Sequence, residues 1–400
     1  MDHKQAAAAT LDRDAATLVD LSHRIHAHPE LSFQEHRASA WCAEALAAAG
    51  FDVAAPVAGL DTAFVATAGS GPLTVGICCE YDALPGIGHA CGHNVIAAAA
   101  VGAGLALAPL ADDLGVTVKV LGTPAEEGGG GKITMLERGA FDGCHAAMMV
   151  HPWPTELLQM PCLAVAHYDV AYTGREAHAS AFPERGRNAA DALTVAQVAI
   201  GLLRQHGRPG DQVHGIVTLG GAAPNIVPGR TRAKYYVRSR SLHGLAVWDE
   251  RVRHCFEAGA LATGCELEIL PQSPTYSEFS TDDGLARRYQ ANAEARGRRF
   301  PDPPEHAVPA STDMGNVSLA MPAIHPTLGI DSLPAVNHQA EFAAHCVTPV
   351  ADRALLDGAA AMAWTVVDAA VEEAERTRLL ARTYHHDTGG AGARSVERRP

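Results

Sequence analysis

The stretch LTVGICCEYDALPGIGHACGHNVIAAAAVGAGLALA, residues 73–108, contains the local pattern from which the fold can be predicted. Its first part, LTVGICC (73–79), is a short apolar run that predicts a buried β-strand. The loop EYDALPGIGHACGHN (80–94) follows, and the apolar segment after it predicts a buried helix. A strand, a loop and a helix in this order are typical of an α/β sheet.

Further strands are predicted on either side of this unit. VTVKVLGT (116–123) and HAAMMVHP (145–152) are apolar runs of strand length, and AIHPTLGI (323–330) is a later one. Helical patterns lie between them, and the segment 350–380 predicts one long amphipathic helix. Strands that alternate with helices predict an α/β fold with a mostly parallel, helix-covered sheet.

The chain between residues 164 and 275 has a different pattern. It predicts a strand at 164–174, a helix at 188–206, strands at 213–221 and 231–241, a helix at 244–264 and a strand at 265–271. The order βαββαβ is ferredoxin-like and is best explained as a small domain inserted into the first. We therefore expect a larger domain of residues 1–163 and 276–384, an inserted domain of residues 164–275, and a flexible tail at 385–400.

Composition limits the classes of partner. The 400 residues are too many for one core, and 47% of them are apolar. A net charge of −14 argues against a nucleic-acid or anionic-membrane partner. Nine cysteines without regular spacing do not indicate a disulfide scaffold. No apolar run reaches membrane-spanning length and the start has no signal-like core, so we expect a soluble, cytoplasmic protein without membrane partners.

Chemically active side chains follow three of the predicted strands of the larger domain. The first loop contains Asp82 and the segment GHACGHN (88–94), the second contains Glu126 and Glu127, and the third begins at His151. Open α/β sheets place ligands at such strand ends. GHACGHN alone is explained equally well by a metal site and by a glycine-rich bend with a buried thiol. Asp82 is either a turn former or a carboxylate that orients a ligand histidine.

The adjacent carboxylates at 126 and 127 favour the metal interpretation. Two carboxylates in a confined place repel each other unless a cation compensates them, and a metal ion provides that charge. One carboxylate can then bind metal while the other acts as general base. A phosphate-binding loop is excluded, because that pattern requires Gly and Ser or Thr where this chain has Glu126 and Ile133.

Six motifs together resemble the dinuclear metallopeptidase and amidohydrolase family of aminoacylases, auxin-conjugate hydrolases and glutamate carboxypeptidases. The resemblance is strongest to the branch of p-aminobenzoyl-glutamate hydrolase and β-alanyl-lysine-type dipeptidases, and it covers roughly residues 15–380. The motifs are EYDALPGIGHACGHN, TPAEEGGGGK, MMVHPWP, GREAHASAFPERGRNAADAL, APNIVP and STDMGN.

The resemblance implies two divalent metal ions, zinc or manganese, with cobalt as a third candidate. It makes Glu126 the general base, and it leaves His345 and His325 as rivals for the last ligand. Many relatives have Asp where this chain has Asn94, which concerns the bracing of the loop. The implied ligands are Cys91, His93, Glu127, His151 and His338.

The resemblance also assigns roles to the inserted domain, which in the family mediates dimerisation and closes over the substrate. His178 would polarise the scissile carbonyl, often in the partner subunit's site. Asn225 and Arg238 would hold the substrate carboxylate, with Arg240 as a competitor for the second role. Thr312 would contact the substrate, with Ser311 and Asp313 as alternatives.

Two main hypotheses follow. The first is a homodimeric, metal-dependent hydrolase that cleaves the amide bond of a small N-acyl amino acid or dipeptide with a free carboxylate. The second is a non-catalytic binding or regulatory protein on the same scaffold, which loss of Glu126, Glu127 or the Cys91/His93 pair would favour. All of these residues are present. A thiol enzyme with Cys91 as nucleophile remains a further alternative.

Overall fold

A computed structural model describes residues 2–301 and 310–386. The large sheet has six strands in the order β1-β2-β4-β3-β5-β11. Neighbours among β4, β3, β5 and β11 pair in parallel, whereas β1 and β2 form an antiparallel edge. These strands are β1 (Asp52–Ala54), β2 (Phe64–Ala68), β3 (Leu73–Cys79), β4 (Val116–Gly122), β5 (Ala146–Met148) and β11 (Ala323–Ile324).

The prediction of a mostly parallel sheet is confirmed, but two of its strands are shorter than expected. The segment 145–152 splits into β5 and β6 (His151–Trp153), and 323–330 splits into β11 and β12 (Thr327–Gly329). β6 and β12 pair in parallel as a separate two-stranded sheet. Pro326 has no N–H to donate, so the ladder is interrupted there. The short antiparallel edge strands β1 and β2 were not predicted.

Helices cover the large sheet. The centre of this layer is α3, packed between α1 and α11, and nearly all of its residues are buried. Gly102 allows this close packing, because an added Cβ would lie 3.0 Å from side-chain atoms of both Ala359 and Leu18. These helices are α1 (His3–Ala27), α2 (His36–Ala48), α3 (His93–Leu107), α4 (Ala111–Leu114), α5 (Gly131–Glu137), α8 (Asp283–Ala295), α9 (Met314–Ala320), α10 (Ala340–His345) and α11 (Pro349–Val371).

The helix predicted over 350–380 is interrupted. It ends at Val371, Glu372 has an extended backbone, and α12 (Glu373–Leu380) begins after it. The Arg376 guanidinium donates hydrogen bonds to the carbonyls of Ala370 and Leu114. One of these bonds satisfies a carbonyl near the end of α11.

The small sheet is antiparallel, with strand order β10-β7-β9-β8. Two helices pack on one face of it around a separate apolar core. The ferredoxin-like order βαββαβ is confirmed, whereas the domain boundaries remain a prediction. Its elements are β7 (Ala164–Thr173), α6 (Ala189–Leu203), β8 (Gln212–Leu219), β9 (Arg230–Ser239), α7 (Leu242–Thr263) and β10 (Glu266–Pro271). Of the tail predicted at 385–400, residues 387–400 lie outside the described residues.

Two helical segments would suit a membrane span by length and composition, contrary to the expectation from sequence. They are 93–114 and Pro349–Val371, and 83% and 78% of their apolar windows are buried inside the fold. Core helices meet the same criterion when they are apolar on all sides. The two segments pack against each other in the interior through α3 and α11.

Candidate metal centre

Loops at the carboxyl ends of β3, β4 and β5 surround a cavity of about 300 Å³. Strands that run in parallel end at the same edge of a sheet, so their following loops meet there. The cavity is lined by Cys91, Glu126, Glu127, His151, Trp153, Met160, Arg238, Ala310, Ser311, Thr312, His325, Asn337 and His338.

GHACGHN forms a tight bend that leads directly into α3. Gly92 has φ +78°, and a Cβ there would lie 2.8 Å from Pro152 Cγ and 3.1 Å from Cys346 Sγ. Only glycine fits this conformation and this space. The bend places Cys91 and His93 on the same site, while His89 is buried beside His26.

Asn94 braces the same bend. Its amide group donates hydrogen bonds to Ser22 Oγ at 2.9 Å and to the Cys346 carbonyl at 3.0 Å. A carboxylate could not donate to that carbonyl. The Asn at this position is therefore suited to its neighbours in this chain.

The five predicted ligand side chains converge, and we call them the ligand cluster. Cys91 Sγ lies 3.6 Å from His151 Nε2 and 3.6 Å from His338 Nε2. Glu127 Oε1 lies 3.6 Å from His338 Nε2 and 4.0 Å from His93 Nε2. Two ligand sets share Cys91, one with His93 and His151 and the other with Glu127 and His338.

The backbone around His338 and Glu126 is held in uncommon conformations. His338 has φ +69°, and its N–H donates to the Ala90 carbonyl beside Cys91 at 2.9 Å. Ala125 has φ +59°, and two glycine N–H groups donate to its carbonyl. Non-glycine residues in this region cluster at functional sites, where the surrounding structure maintains the strain.

The structure separates His338 from its two rivals for the last ligand. His345, at the end of α10, lines a different surface depression together with Gln339 and Glu341. His325 lines the cavity but belongs to none of the ligand sets found among the described residues. Its ring centre is 5.5 Å from that of His151.

Asp82 holds one of the ligand histidines. Its Oδ1 contacts His93 Nδ1 at 3.0 Å, and its Oδ2 accepts from the Glu127 N–H at 3.0 Å. Burial opposes ionisation, but His93 and these hydrogen bonds outweigh it and lower the pKa of Asp82 to about 2. The carboxylate thus directs His93 Nε2 towards the cluster, as carboxylates behind metal-binding histidines do.

The cluster has an excess of negative charge. Burial disfavours a charged His93, yet Asp82, Glu80 and Glu127 raise the pKa of His93 to about 10. Among the described residues, Lys132 is the only Lys or Arg ion-paired to the acidic groups behind the site. Buried atoms without hydrogen-bond partners include His93 Nε2, Glu127 Oε1 and Glu80 Oε2. Buried sulfur, nitrogen and oxygen donors without hydrogen-bond partners are suited to bind divalent cations.

Glu126 is buried beside the cluster, with its Oε2 4.0 Å from His93 Nε2. Burial, Glu80 and Glu127 raise the pKa of Glu126 well above its ordinary value. A carboxyl group at the cavity wall beside the ligand cluster is placed to accept a proton from a metal-bound water. This position is what a general base requires.

Cys91 is not activated as a nucleophile. Burial and the charges of Glu127 and Glu126 raise the pKa of the Cys91 thiol well above its ordinary value. Reactive cysteines have the opposite environment, in which nearby positive charge lowers the pKa. This environment therefore favours Cys91 as a metal ligand over Cys91 as the nucleophile of a thiol enzyme.

Arg238 and Thr312 lie where a substrate would enter. Arg238, on β9, lines the cavity and donates a hydrogen bond to Ser311 Oγ, which in turn donates to the Leu163 carbonyl. Thr312 also lines the cavity. Arg240 is exposed, and the buried Asp313 pairs with Lys132 instead of lining the cavity.

His178 and Asn225 do not line the cavity, although they are neighbours on the small sheet's side of the molecule. Both are exposed, and the Ala179 N–H donates to the Asn225 carbonyl at 3.0 Å. His178 Nδ1 accepts from the N–H groups of Ser180 and Ala181, so the neutral ring has its proton on Nε2. This nitrogen is a donor that needs an acceptor from elsewhere.

Sequence reasoning missed the buried group formed by Glu80, Lys132 and Asp313. Lys132 Nζ lies 2.6 Å from Glu80 Oε1 and 2.6 Å from Asp313 Oδ1. Glu80 directly follows β3 and is two residues before Asp82, so alternation along an extended strand indicated that both face the same way. The contact with Asp313 could not be predicted, because 181 residues separate it from Lys132.

Sulfur, imidazole and carboxylate ligands beside a buried Glu at a cavity wall are the arrangement of a metal-dependent hydrolase. The model of peptidase family M20/M25/M40 matches residues 30–366. The chain is 39% identical over 381 residues to the Xaa-Arg dipeptidase of Mus musculus, covering 91% of this chain and 88% of the relative. This protein belongs to peptidase family M20/M25/M40.

Two further comparisons agree with this assignment. The chain is 32% identical over 279 residues to one component of the p-aminobenzoyl-glutamate hydrolase of Escherichia coli (strain K12), covering 64% of this chain and 58% of the relative. A Bacillus subtilis structure, described as a dinuclear metal-binding peptidase of the M20 family, matches with TM-score 0.66 and 19% identity, covering 90% and 99% of the two chains. The hypothesis of a metal-dependent amide hydrolase is confirmed, and the non-catalytic alternative is not supported.

Proposed function

We propose that this enzyme hydrolyses the amide bond of a dipeptide or N-acyl amino acid with a free carboxylate, using two divalent ions. The observation that carries the proposal is the pair of ligand sets that share Cys91. A thiolate shared between two sets of donors can bridge two adjacent ions. Zinc or manganese is the proposed metal, with cobalt as a third candidate, since thiolate and imidazole suit zinc and carboxylates suit manganese.

The proposed substrate class rests on the relatives and on Arg238. The named relatives are an Xaa-Arg dipeptidase and a p-aminobenzoyl-glutamate hydrolase, and both substrates contain an amide bond to an amino acid with a free carboxylate. Arg238 presents a guanidinium at the cavity wall, and its contact with Ser311 fixes the side chain there. A guanidinium binds a carboxylate through two parallel hydrogen bonds.

Bound divalent ions would polarise the amide carbonyl and lower the pKa of a coordinated water. Glu126 takes the proton of the attacking water and transfers it to the leaving amine, since its carboxyl group lies beside the ligand cluster at the cavity wall. The residues around it exclude bulk water, because Glu126 is 7% exposed. Thr312 faces the same cavity and contacts the substrate beside Arg238.

A second copy of the chain completes the site in this proposal. β8 is one of the two edge strands of the small sheet, and it exposes Ile216, Val217 and Leu219 to 64%, 46% and 39%. An apolar edge strand favours pairing with another strand. In a homodimer built on this edge, His178 Nε2 donates to the carbonyl oxygen of the substrate in the partner's cavity, and Asn225 lies beside it.

The nine cysteines are all free. Free thiols throughout a chain are typical of reducing compartments, which supports the proposal that the enzyme works in the cytoplasm.

Metal removal and reconstitution test the proposed function. The metal-depleted enzyme should lose cleavage of Xaa-Arg dipeptides, p-aminobenzoyl-glutamate and N-acetyl amino acids, and single divalent ions should restore it on at least one of these. Restoration should reach its maximum at two ions per chain, measured by elemental analysis. Cleavage that persists without metal, or no metal-restored cleavage of any of the three classes, would refute the proposal.

A further inference from the structure

Three fully buried charged groups lie behind the ligand cluster: Glu80, Lys132 and Asp313. Lys132 Nζ pairs with both carboxylates, and the Lys132 N–H also donates to Asp313 Oδ2 at 2.9 Å. A buried ionic group of this kind is costly to desolvate, and apolar residues of similar size are often as stable. Stability alone therefore does not explain it.

Lys132 Nζ forms an ion pair with Oε1 of Glu80 at 2.6 Å. Neither oxygen of Glu80 has a hydrogen-bond partner among the described residues, and Oε2 faces His93 Nε2 at 3.5 Å. Asp82 occupies the opposite ring nitrogen, so Nε2 of His93 presents a lone pair when a metal ion replaces its proton. In the metal-bound protein this lone pair and Oε2 of Glu80 face each other at a spacing that one ion can bridge.

The spacing fits a shared ion. Ligand atoms bound at about 2.0–2.2 Å to one tetrahedral ion lie roughly 3.5 Å apart. Glu80 Oε2 is nearer to His93 Nε2 than Glu127 Oε1 is, at 3.5 Å against 4.0 Å. Glu80, His93 and Glu126 also form a set of three mutually close ligand atoms.

We propose that Glu80 is a further ligand of the ion bound by His93, and that Lys132 and Asp313 are positioning residues that hold its carboxylate in place. The inference rests on the proposed two-ion site and adds a donor to it. Lys132 binds Oε1 of Glu80 and leaves Oε2 directed at the cluster. Asp313 fixes both the ammonium and the backbone N–H of Lys132, which joins the glycine-rich loop to the segment 311–316.

Cobalt titration of the metal-depleted full chain tests this assignment. Cobalt absorption in the visible range reports coordination, and the thiolate charge-transfer band separately reports Cys91. In Glu80→Gln, one of two Co²⁺ ions should bind at least about tenfold more weakly and the visible spectrum should change, while the thiolate band remains. Glu375→Gln, which alters a buried ion-paired carboxylate beside Arg378, should bind both ions as the native chain does.

Several results would overturn the assignment. Glu80→Gln with native affinity for both ions would refute it, and so would weaker binding with an unchanged visible spectrum, which would reduce Glu80 to a positioning role. A native chain that binds no Co²⁺ would instead refute the two-ion site itself. If Glu80→Gln does not fold, Glu80→Asp keeps the charge but withdraws the oxygen by one methylene, and it should show the same loss.

Lys132→Met tests the positioning role. We expect weaker binding of the same Co²⁺ ion with a smaller spectral change, because Glu80 is still present but less well ordered. A variant that is less stable to urea yet binds both ions with native affinity would show that Lys132 is only a structural ion pair. Circular dichroism establishes that each variant is folded.

Discussion

The ligand cluster and the exposed region around His178 differ in how complete they are within one chain. In the cluster, His338 Nε2 lies 3.6 Å from Cys91 Sγ and 3.6 Å from Glu127 Oε1. The buried carboxylate of Asp82 orients His93. His178, by contrast, is exposed, and its Nε2 donates to no acceptor among the described residues. In the proposed function, the chain therefore builds the metal site alone, whereas carbonyl polarisation by His178 uses the surface of a second copy.

Glu126→Gln tests the ligand cluster, which is complete within one chain, and it should have the largest effect. The amide cannot accept the proton of water, so kcat should fall by about 10²–10⁴. Metal content, measured by elemental analysis, should stay at the native value. A variant that retains most of the native kcat would show that the proton acceptor lies elsewhere.

His178→Ala tests the exposed region around His178. Loss of one donor to a developing oxyanion should lower kcat by about 10²–10³ with metal content unchanged. The exposed His243→Ala, on α7, serves as the matched control and should keep native kinetics.

Mixing the two inactive variants distinguishes the source of His178. After dissociation and random reassociation of Glu126→Gln with His178→Ala, half of the dimers contain one intact site, so activity should return to about a quarter of native. No recovery would mean that His178 acts in its own chain or that the protein is not a dimer.

The pH dependence of folding stability tests the burial of Glu35 beside the site. Its carboxyl group accepts hydrogen bonds from the N–H groups of Phe33 and Ala125, next to Glu126. Burial and Asp82 raise the pKa of Glu35 to about 7 from an ordinary value of 4.5. The unfolded chain therefore loses this proton first, and the contribution to stability is full below pH 4.5 and is lost as the pH rises to about 7.

The expected loss is about 3 kcal/mol in the free energy of unfolding, measured by urea denaturation across this pH range. Glu35→Gln should remove it, because the amide stays neutral and can bond the same groups. The surface variant Glu341→Gln should leave the decline intact. An unchanged decline in Glu35→Gln would show that other groups cause it.

Arg238 lies on β9 of the small sheet, and it also lines the cavity that contains the ligand cluster. It therefore connects the small sheet to the ligand cluster. Arg238→Met should raise KM about 10–100-fold for substrates with a free carboxylate, since a charge-assisted contact is lost. Substrates with an amidated carboxyl group should show little change. The neighbouring exposed Arg240→Met should behave as native; an effect there instead would reverse the assignment.

Local patterns in the sequence were sufficient to predict most elements of the fold. The strands at 73–79 and 116–123 were found because buried parallel strands are continuous apolar runs. The βαββαβ order followed from the change in periodicity after residue 163. The split at Pro326 and the bend at Glu372 depend on partners distant in sequence, so local patterns did not show them.

The sequence by itself determined the residue types of the site, their places after parallel strands, and the need for a glycine between Cys91 and His93. Only the tertiary structure decided that His338 joins the cluster while His345 does not, that Asp313 pairs with Lys132, and that Glu80 faces His93. The physical reason is range: strand and turn preferences act between neighbours, whereas these contacts are set by packing between segments tens to hundreds of residues apart.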